Sequence, residues 1–299
     1  MYLEKIFLKN YRNLKTNVIK LNSGINILIG NNGQGKTNFL EAIYLLGTGS
    51  SHRTNIDKEL TNWHQESSLI QVKLIKKDYS LKIGLIIDNS TKKAKINDNP
   101  LDNFTELIGN LNVVLFSPED LKLVKGSPAN RRKFINIEVS QVSSFYKHTL
   151  NKYNHVLKQR NKLLKKIRSN NKTSEENTLE VWDEQLAELG SKIIKKRLKV
   201  IDKLKILARL NQRKITEGKE NLTIEYENSI KTPLKESKDL KVIFKQDLVN
   251  NRNKEIERGY TITGPHRDDL ILKINDKDVR KYGSQGQQRT VALSLKLAE

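Results

Sequence analysis

Gly30-Asn31-Asn32-Gly33-Gln34-Gly35-Lys36-Thr37 fits the pattern G-x-x-x-x-G-K-[ST], and its neighbours decide how it is read. Before it stands Ile25-Asn26-Ile27-Leu28-Ile29, a short apolar run of the kind a buried strand shows. After it, Phe39, Leu40, Ile43, Tyr44 and Leu46 recur at helical spacing. Strand, glycine-rich turn and helix in that order are the context a phosphate-binding loop requires. Glycines let backbone N–H groups turn inward around phosphates, and the helix N-terminus adds positive potential. Lys36 is placed to meet β- and γ-phosphates, and the Thr37 hydroxyl to ligate Mg²⁺. Asn31, Asn32 and Gln34 fill the variable positions. A chance glycine-rich turn is the competing reading; it requires neither flanking element.

Composition narrows the class. The 299 residues carry 55 Lys plus Arg against 34 Asp plus Glu, a formal charge of +21. Such an excess favours a polyanionic partner, nucleic acid before anionic membrane. Drift toward a lysine-rich composition is the plainer alternative. With 36% hydrophobic residues the chain can still build a core. It has no cysteine, which excludes disulfide scaffolds, thiol catalysis and cysteine-ligated metal sites. No segment approaches the ~18 apolar residues of a membrane span, and the N-terminus shows no signal-peptide pattern. A soluble, cytoplasmic protein without a membrane partner is expected.

Outward from the loop, Tyr2 to Lys9 alternates, with Tyr2, Ile6 and Leu8 on one face. Ile70, Val72 and Leu74 alternate with polar residues, as do Leu81, Ile83, Leu85 and Ile87, and Lys76-Lys77-Asp78 joins the two runs into a hairpin. Val113-Val114-Leu115-Phe116 reads as another strand, stopped by Ser117-Pro118. Ser127-Pro128 then opens a helical region. Phe134 to Leu157 and Trp182 to Leu207 step at helical intervals on either side of a polar stretch, Ser169 to Asn177, which predicts an antiparallel helical hairpin with basic outer faces. Strands return at Leu222 to Tyr226 and at Leu270 to Ile274, the latter before an Asn275-Asp276 turn. The expected organisation is an α/β ATPase-type lobe in two parts, residues 1–120 and 216–299, interrupted by a helical insertion at 121–215.

Ser284-Gln285-Gly286-Gln287-Gln288-Arg289, before a helix expected from Thr290, resembles the signature motif of ABC-type ATPases. In those proteins the serine and a glycine N–H meet the γ-phosphate held by the opposite subunit. As a bare string it also fits a helix cap beside a polar turn. Further strings occur in order along the chain: Lys9-Asn10-Tyr11-Arg12-Asn13-Leu14, Ser51-His52-Arg53-Thr54, Phe116-Ser117-Pro118-Glu119-Asp120-Leu121, Lys125-Gly126-Ser127-Pro128 with Arg131-Arg132, Thr263-Gly264-Pro265-His266-Arg267-Asp268-Asp269, and Tyr282-Gly283 leading into Ser284. Together with the phosphate loop they resemble the RecF family of bacterial recombination and replication-repair proteins, from Met1 to Glu299.

That resemblance implies a P-loop ABC-type ATPase head with an inserted helical-hairpin lobe. It implies ATP and Mg²⁺, an ATP-dependent homodimer closed around two nucleotides, and slow DNA-stimulated hydrolysis. It also implies binding to single-stranded, gapped or junction DNA, work with recombination mediator proteins to load RecA-type recombinase, and a part in the SOS response. Arg12 matches the family's early loop near the nucleotide and is expected at a phosphate or on the adenine side; an ordinary strand-end arginine is the alternative. The family continues past this point into an apolar strand ending in acidic residues, so a truncated chain is expected. Glu119, Asp120, Asp268 and Asp269 read as caps, salt bridges or a switch loop.

Other features are plainer. The five histidines show no H-x-x-x-H spacing. His266-Arg267 either touches phosphate or closes a turn. Trp63, Trp182 and the tyrosines read as core. Two other functions stay open: a basic DNA-binding scaffold with a vestigial phosphate loop, and an SMC-like chromosome-organising ATPase, against which the short helical insertion argues.

Overall fold

The computed structural model describes residues 1–88, 91–170, 176–230 and 239–299. They form two compact units, Met1–Leu115 and Phe116–Glu299. The sequence reading placed borders at 120 and 215. The second unit runs across 215 because the helical segment shares one apolar core with the strands and helix that follow it.

In the first unit β1 (Tyr2–Tyr11), β2 (Leu14–Lys20), α1 (Lys36–Thr48), β3 (Ser67–Ile75), β4 (Ser80–Asp88), β5 (Thr91–Ile96) and β6 (Asn99–Pro100) follow in order. The strands form one antiparallel sheet, ordered β2-β1-β3-β4-β5-β6. Alternation decides which face is covered: Ile6, Leu8, Ile70, Val72, Leu74, Ile83 and Leu85 point into the core, and Phe39, Ala42, Leu45 and Leu46 of α1 belong to the same cluster. The hairpin read at 70–87 is present, with Lys76 N–H donating to Tyr79 O at 2.8 Å.

Two expected strands are absent. Ile25, Ile27 and Ile29 are 89%, 77% and 89% exposed and lie in no strand. Residues 113–116 are likewise outside any strand, with Val114 and Phe116 exposed. An apolar run makes a ladder only when a neighbour offers its backbone groups, and no described strand pairs with either run.

In the second unit α2 (Leu121–Lys125), α3 (Pro128–Val142), α4 (Ser144–Asn170) and α5 (Glu176–Ile215) lead to β7 (Leu222–Glu227). Then come α6 (Leu240–Asn250), α7 (Arg252–Arg258), β8 (Asp269–Ile274), β9 (Lys277–Asp278), α8 (Val279–Tyr282) and α9 (Gln285–Lys296). The helical hairpin is present. Tyr146 bonds Arg197 and Arg160 bonds Asp183, so partner numbers on α5 fall as those on α4 rise, the mark of antiparallel helices. Within the polar stretch read between them, 171–175 lie outside the described residues. No described helix is long and apolar enough to cross a membrane.

A buried polar network ties α4 and α5 to the 261–269 segment. Arg197 donates to Pro265 O at 2.7 Å and Asn136 Oδ1 at 2.8 Å. Arg160 pairs with Asp183 at 2.7 Å and with Glu255 at 2.6 Å, all three fully buried. His266 lies inside this network, its Nδ1 2.7 Å from Tyr153 Oη and its Nε2 3.2 Å from Thr261 O. Burial lowers the His266 pKa from 6.5 to about 3, so the folded ring is neutral. Arg267 donates to Thr261 O and lies over the Tyr260 ring, while its N–H closes a turn onto Gly264 O at 2.8 Å. Of the two readings for His266-Arg267, the turn is the one these contacts describe.

Between pH 6.5 and 3 the unfolded chain binds a proton at position 266 that the folded chain refuses. The stability held by the neutral ring is therefore intact above 6.5 and falls as pH drops, by about 1.4 kcal/mol per unit. In urea unfolding followed by circular dichroism, His266→Gln is expected to lose less stability between pH 7 and pH 5 than the parent, by roughly that slope.

Candidate functional site

Residues 30–37 wrap the start of α1. Gly30, Gly33 and Gly35 have φ of 153°, 82° and 98°. At Gly35 the requirement is doubled: φ lies in the left-handed region, and a Cβ would come 2.5 Å from Leu14 Cδ2. Lys36 folds back over the loop, its Nζ donating to Gly30 O at 2.6 Å and Asn31 O at 2.8 Å. Gln34 Oε1 accepts from Asn31 N–H at 3.0 Å. Asn32 and Thr37 are exposed, with Thr37 in the first turn of α1. The loop is thus shaped with its lysine over its own carbonyls, where an anion would take the same donor.

The β1–β2 turn braces this loop. Tyr11 pairs with Leu14, leaving Arg12-Asn13 as a two-residue connection. Arg12 has φ 53°, at a position where such turns favour glycine. What holds it there is Glu41, a fully buried carboxylate on α1. Arg12 donates to it from Nε at 3.0 Å and Nη2 at 2.8 Å, Ser51 Oγ at 2.5 Å, and Arg53 stands 3.8 Å away. Burial pushes the Glu41 pKa upward, but the hydrogen bonds from Arg12 and Ser51 outweigh it, and the net shift is below the usual carboxylate range. With Arg12 fixed, Asn13 donates to Gly33 O at 2.6 Å and accepts from Asn38 at 2.8 Å, while Arg53 donates to Asn38 Oδ1 at 2.7 Å.

The candidate residues in the first unit are therefore gathered around one loop, and Arg12 has two of its three nitrogens engaged by Glu41. Sequence reasoning passed over Glu41 and Asn38, and quoted Ser51 only within a string without giving it a role. The signal for Glu41 was a carboxylate set between the buried positions Phe39, Ala42 and Leu45. Trp63 also departs from its reading: it is 94% exposed rather than in the core.

Ser284 lies in the second unit. It is the N-cap of α9, which starts at Gln285, five residues before the expected Thr290. Its Oγ accepts from Gln287 N–H at 3.2 Å, and Gln287 Oε1 accepts from Ser284 N–H at 2.9 Å. Ser284, Gln285 and Gly286 are exposed, so the helix N-terminus faces outward with a hydroxyl still able to donate. The acidic residues act as read. Asp269 receives Arg131 at 2.7 and 2.8 Å, Asp268 receives Ser229 N–H at 2.8 Å, and Asp120 completes a capping box with Ser117.

The family described as AAA ATPase domain matches residues 1–299. The chain is 59% identical to the DNA replication and repair protein RecF of Halothermothrix orenii, covering 100% of this chain and 80% of that protein. It is 50% identical to the RecF of Alkaliphilus oremlandii, covering 100% and 81%. Among solved structures it is similar to the recombination mediator protein RecF-ATP in the RecFOR pathway, at TM-score 0.94 and 38% identity over 99% of this chain and 79% of that one. The Smc head domain of Pyrococcus furiosus, at TM-score 0.51 and 15% identity over 99% and 78%, shares the fold.

Removing the carboxylate that fixes Arg12 leaves a guanidinium half-buried in a strained turn. Glu41→Ala is expected to destabilise the protein by about 3 kcal/mol. It should also expose the 30–37 loop to limited proteolysis well before the rest of the first unit, with chemical denaturation and mapped cleavage sites as the readouts.

Proposed function

The chain belongs to the RecF family of DNA replication and repair proteins, and on that footing we propose that it is an ATP-gated, DNA-binding dimer of recombinational repair. The observation that carries the proposal is the braced loop: three glycines with positive φ, the Lys36 ammonium over the loop carbonyls, and a helix N-terminus behind them. Such a loop suits a nucleoside triphosphate. The backbone N–H groups of Asn31 to Thr37 would hold the phosphates, Lys36 would neutralise the β- and γ-phosphates, and the Thr37 hydroxyl would ligate Mg²⁺. The metal, when bound with ATP, supplies charge neutralisation between phosphates. Arg12, fixed by Glu41, would sit at the nucleotide's edge.

The exposed Ser284 cap is suited to reach the γ-phosphate of a second copy, which makes ATP the link between two protomers. The charge of +21 supports DNA as the ligand that this dimer grips, through phosphate neutralisation. Gapped or junction DNA, mediator partners, RecA-type recombinase loading, and slow hydrolysis as the release step complete the proposal.

Lys36→Ala removes the cation placed at the phosphates. ATP affinity, measured by titration with a fluorescent analogue, should fall by a hundredfold or more. An unchanged affinity would mean the loop does not cradle the nucleotide and would leave the basic-scaffold reading in its place.

Ser284→Arg puts a long cation where a close serine contact is needed. Nucleotide binding by the monomer should survive, since 30–37 is untouched, while dimerisation with a slowly hydrolysed ATP analogue should fail in sedimentation. A variant that dimerises like the parent would show that Ser284 does not read the second subunit's nucleotide.

A further inference from the structure

The sheet of the first unit buries one face against α1 and leaves the other open. Register fixes what the open face carries. Lys20 of β2 stands opposite Lys5 of β1, Lys5 opposite Lys73 of β3, and Lys73 opposite Lys82 of β4, so four lysines form one row across four neighbouring strands. The next row on that face reads Val18, Phe7, Gln71, Gly84 and Lys95. The row after it reads Thr16, Lys9, Leu69, Ile86 and Lys93. All the lysines of these rows are exposed.

Like charges directly opposite one another in a sheet are destabilising, so the lysine row needs a reason. Lysine often blunts an edge strand, but β1, β3 and β4 are interior strands of this sheet. Neutralisation from within reaches only part of the row. Lys73 pairs with Glu4 at 2.7 Å and Lys82 with Asp98 at 3.0 Å, both exposed pairs. Lys5 and Lys20, and Lys9, Lys93 and Lys95 beyond them, bond no carboxylate among the described residues. Neighbouring strands lie about 4.8 Å apart, so the row spans about 14 Å. Against it runs a groove of about 470 Å³, lined by Lys5, Lys73 and Lys82 of the first row and by Phe7, Val18 and Gln71 of the second.

We propose that this face of the sheet is a binding surface for single-stranded DNA, with phosphates along the lysine row and a base against Phe7 and Val18 in the groove. The assignment rests on the reading of the chain as DNA-binding and adds where a strand is held. A basic row suits any polyanion. An aromatic and an aliphatic side chain beside it suit an unstacked base, whose faces a duplex hides.

The test compares two sets of lysines of equal charge. One variant carries Lys5→Gln, Lys20→Gln, Lys73→Gln and Lys82→Gln. The control carries Lys195→Gln, Lys196→Gln, Lys199→Gln and Lys203→Gln on the exposed side of α5. Binding of a fluorescein-labelled oligothymidylate is followed by anisotropy over a range of salt. The sheet variant should lose at least tenfold in affinity, and its log–log salt slope should become shallower by about 2 to 3, as expected when four phosphate contacts on a single strand are lost. The control should stay within about twofold of the parent. The sheet variant should melt no lower than the parent, because it relieves repulsion, so a loss of binding cannot be ascribed to unfolding. Phe7→Leu should weaken the oligonucleotide about tenfold with an unchanged salt slope, and Phe7→Tyr should bind like the parent. An equal loss in the sheet variant and the control would overturn the surface and leave net charge as the cause. Competition by polyglutamate as strong as by unlabelled oligothymidylate would overturn the nucleic-acid assignment in favour of an acidic protein partner. A parent that binds duplex but not single strand would overturn the choice of ligand. If the parent binds neither, the DNA-binding reading itself fails and this surface fails with it.

Discussion

The buried Glu41 carboxylate ties together segments of the first unit that are far apart in sequence. A charge with no exposure is tolerable only when its oxygens are met by donors, since an unpartnered buried carboxylate costs several kcal/mol. Glu41 finds its donors in two segments that are otherwise separate: Arg12 in the β1–β2 turn and Ser51 beyond the end of α1. Both must be in place at once. When they are, Asn13 is under Gly33, Asn38 is between Asn13 and Arg53, and the left-handed backbone of Arg12 is held against its own preference. The 30–37 loop is braced through a charge it does not touch.

The second unit uses arginine in the same way with the signs reversed. Arg197 and Arg160 are fully buried, and each bonds groups from several parts of the chain, which ties α4 and α5 to the 261–269 segment. Exposed pairs such as Lys219 with Glu217 are worth about 0–1 kcal/mol and constrain nothing. The difference explains why Thr263-Gly264-Pro265-His266-Arg267-Asp268-Asp269 is so particular a string. Asp268 takes Ser229 and Tyr226, Asp269 takes Arg131, and Gly264 lets the backbone pass beside Tyr153 and Phe244 at φ 119°.

Much of this was legible before the structure. The glycine-rich turn with the helix after it, the 70–87 hairpin, the helical hairpin and the individual strands β7 and β8 each announce themselves by spacing or by turn residues, which are local properties. The failures share a cause. Ile25–Ile29 and Val113–Phe116 have strand composition, but a strand is a relation between two segments, and composition reports only one. Glu41 and Ser51 are ordinary residues until the fold brings Arg12 to them. Trp63 was read as core on residue type alone, although Asn62 and His64 on either side mark a loop.

Two cations stand near the phosphate loop, and the structure separates their parts. The Lys36 ammonium bonds neutral carbonyls in an exposed loop, contacts that anionic phosphate oxygens would replace with stronger ones between opposite charges. Arg12 bonds a buried carboxylate, and drawing it away would strand that charge at a cost of several kcal/mol. A triphosphate arriving in this loop would therefore move Lys36 and leave Arg12 where it is. Any contact of Arg12 with a nucleotide would come from the edge of the guanidinium that Glu41 does not use, in a position that Glu41 already sets.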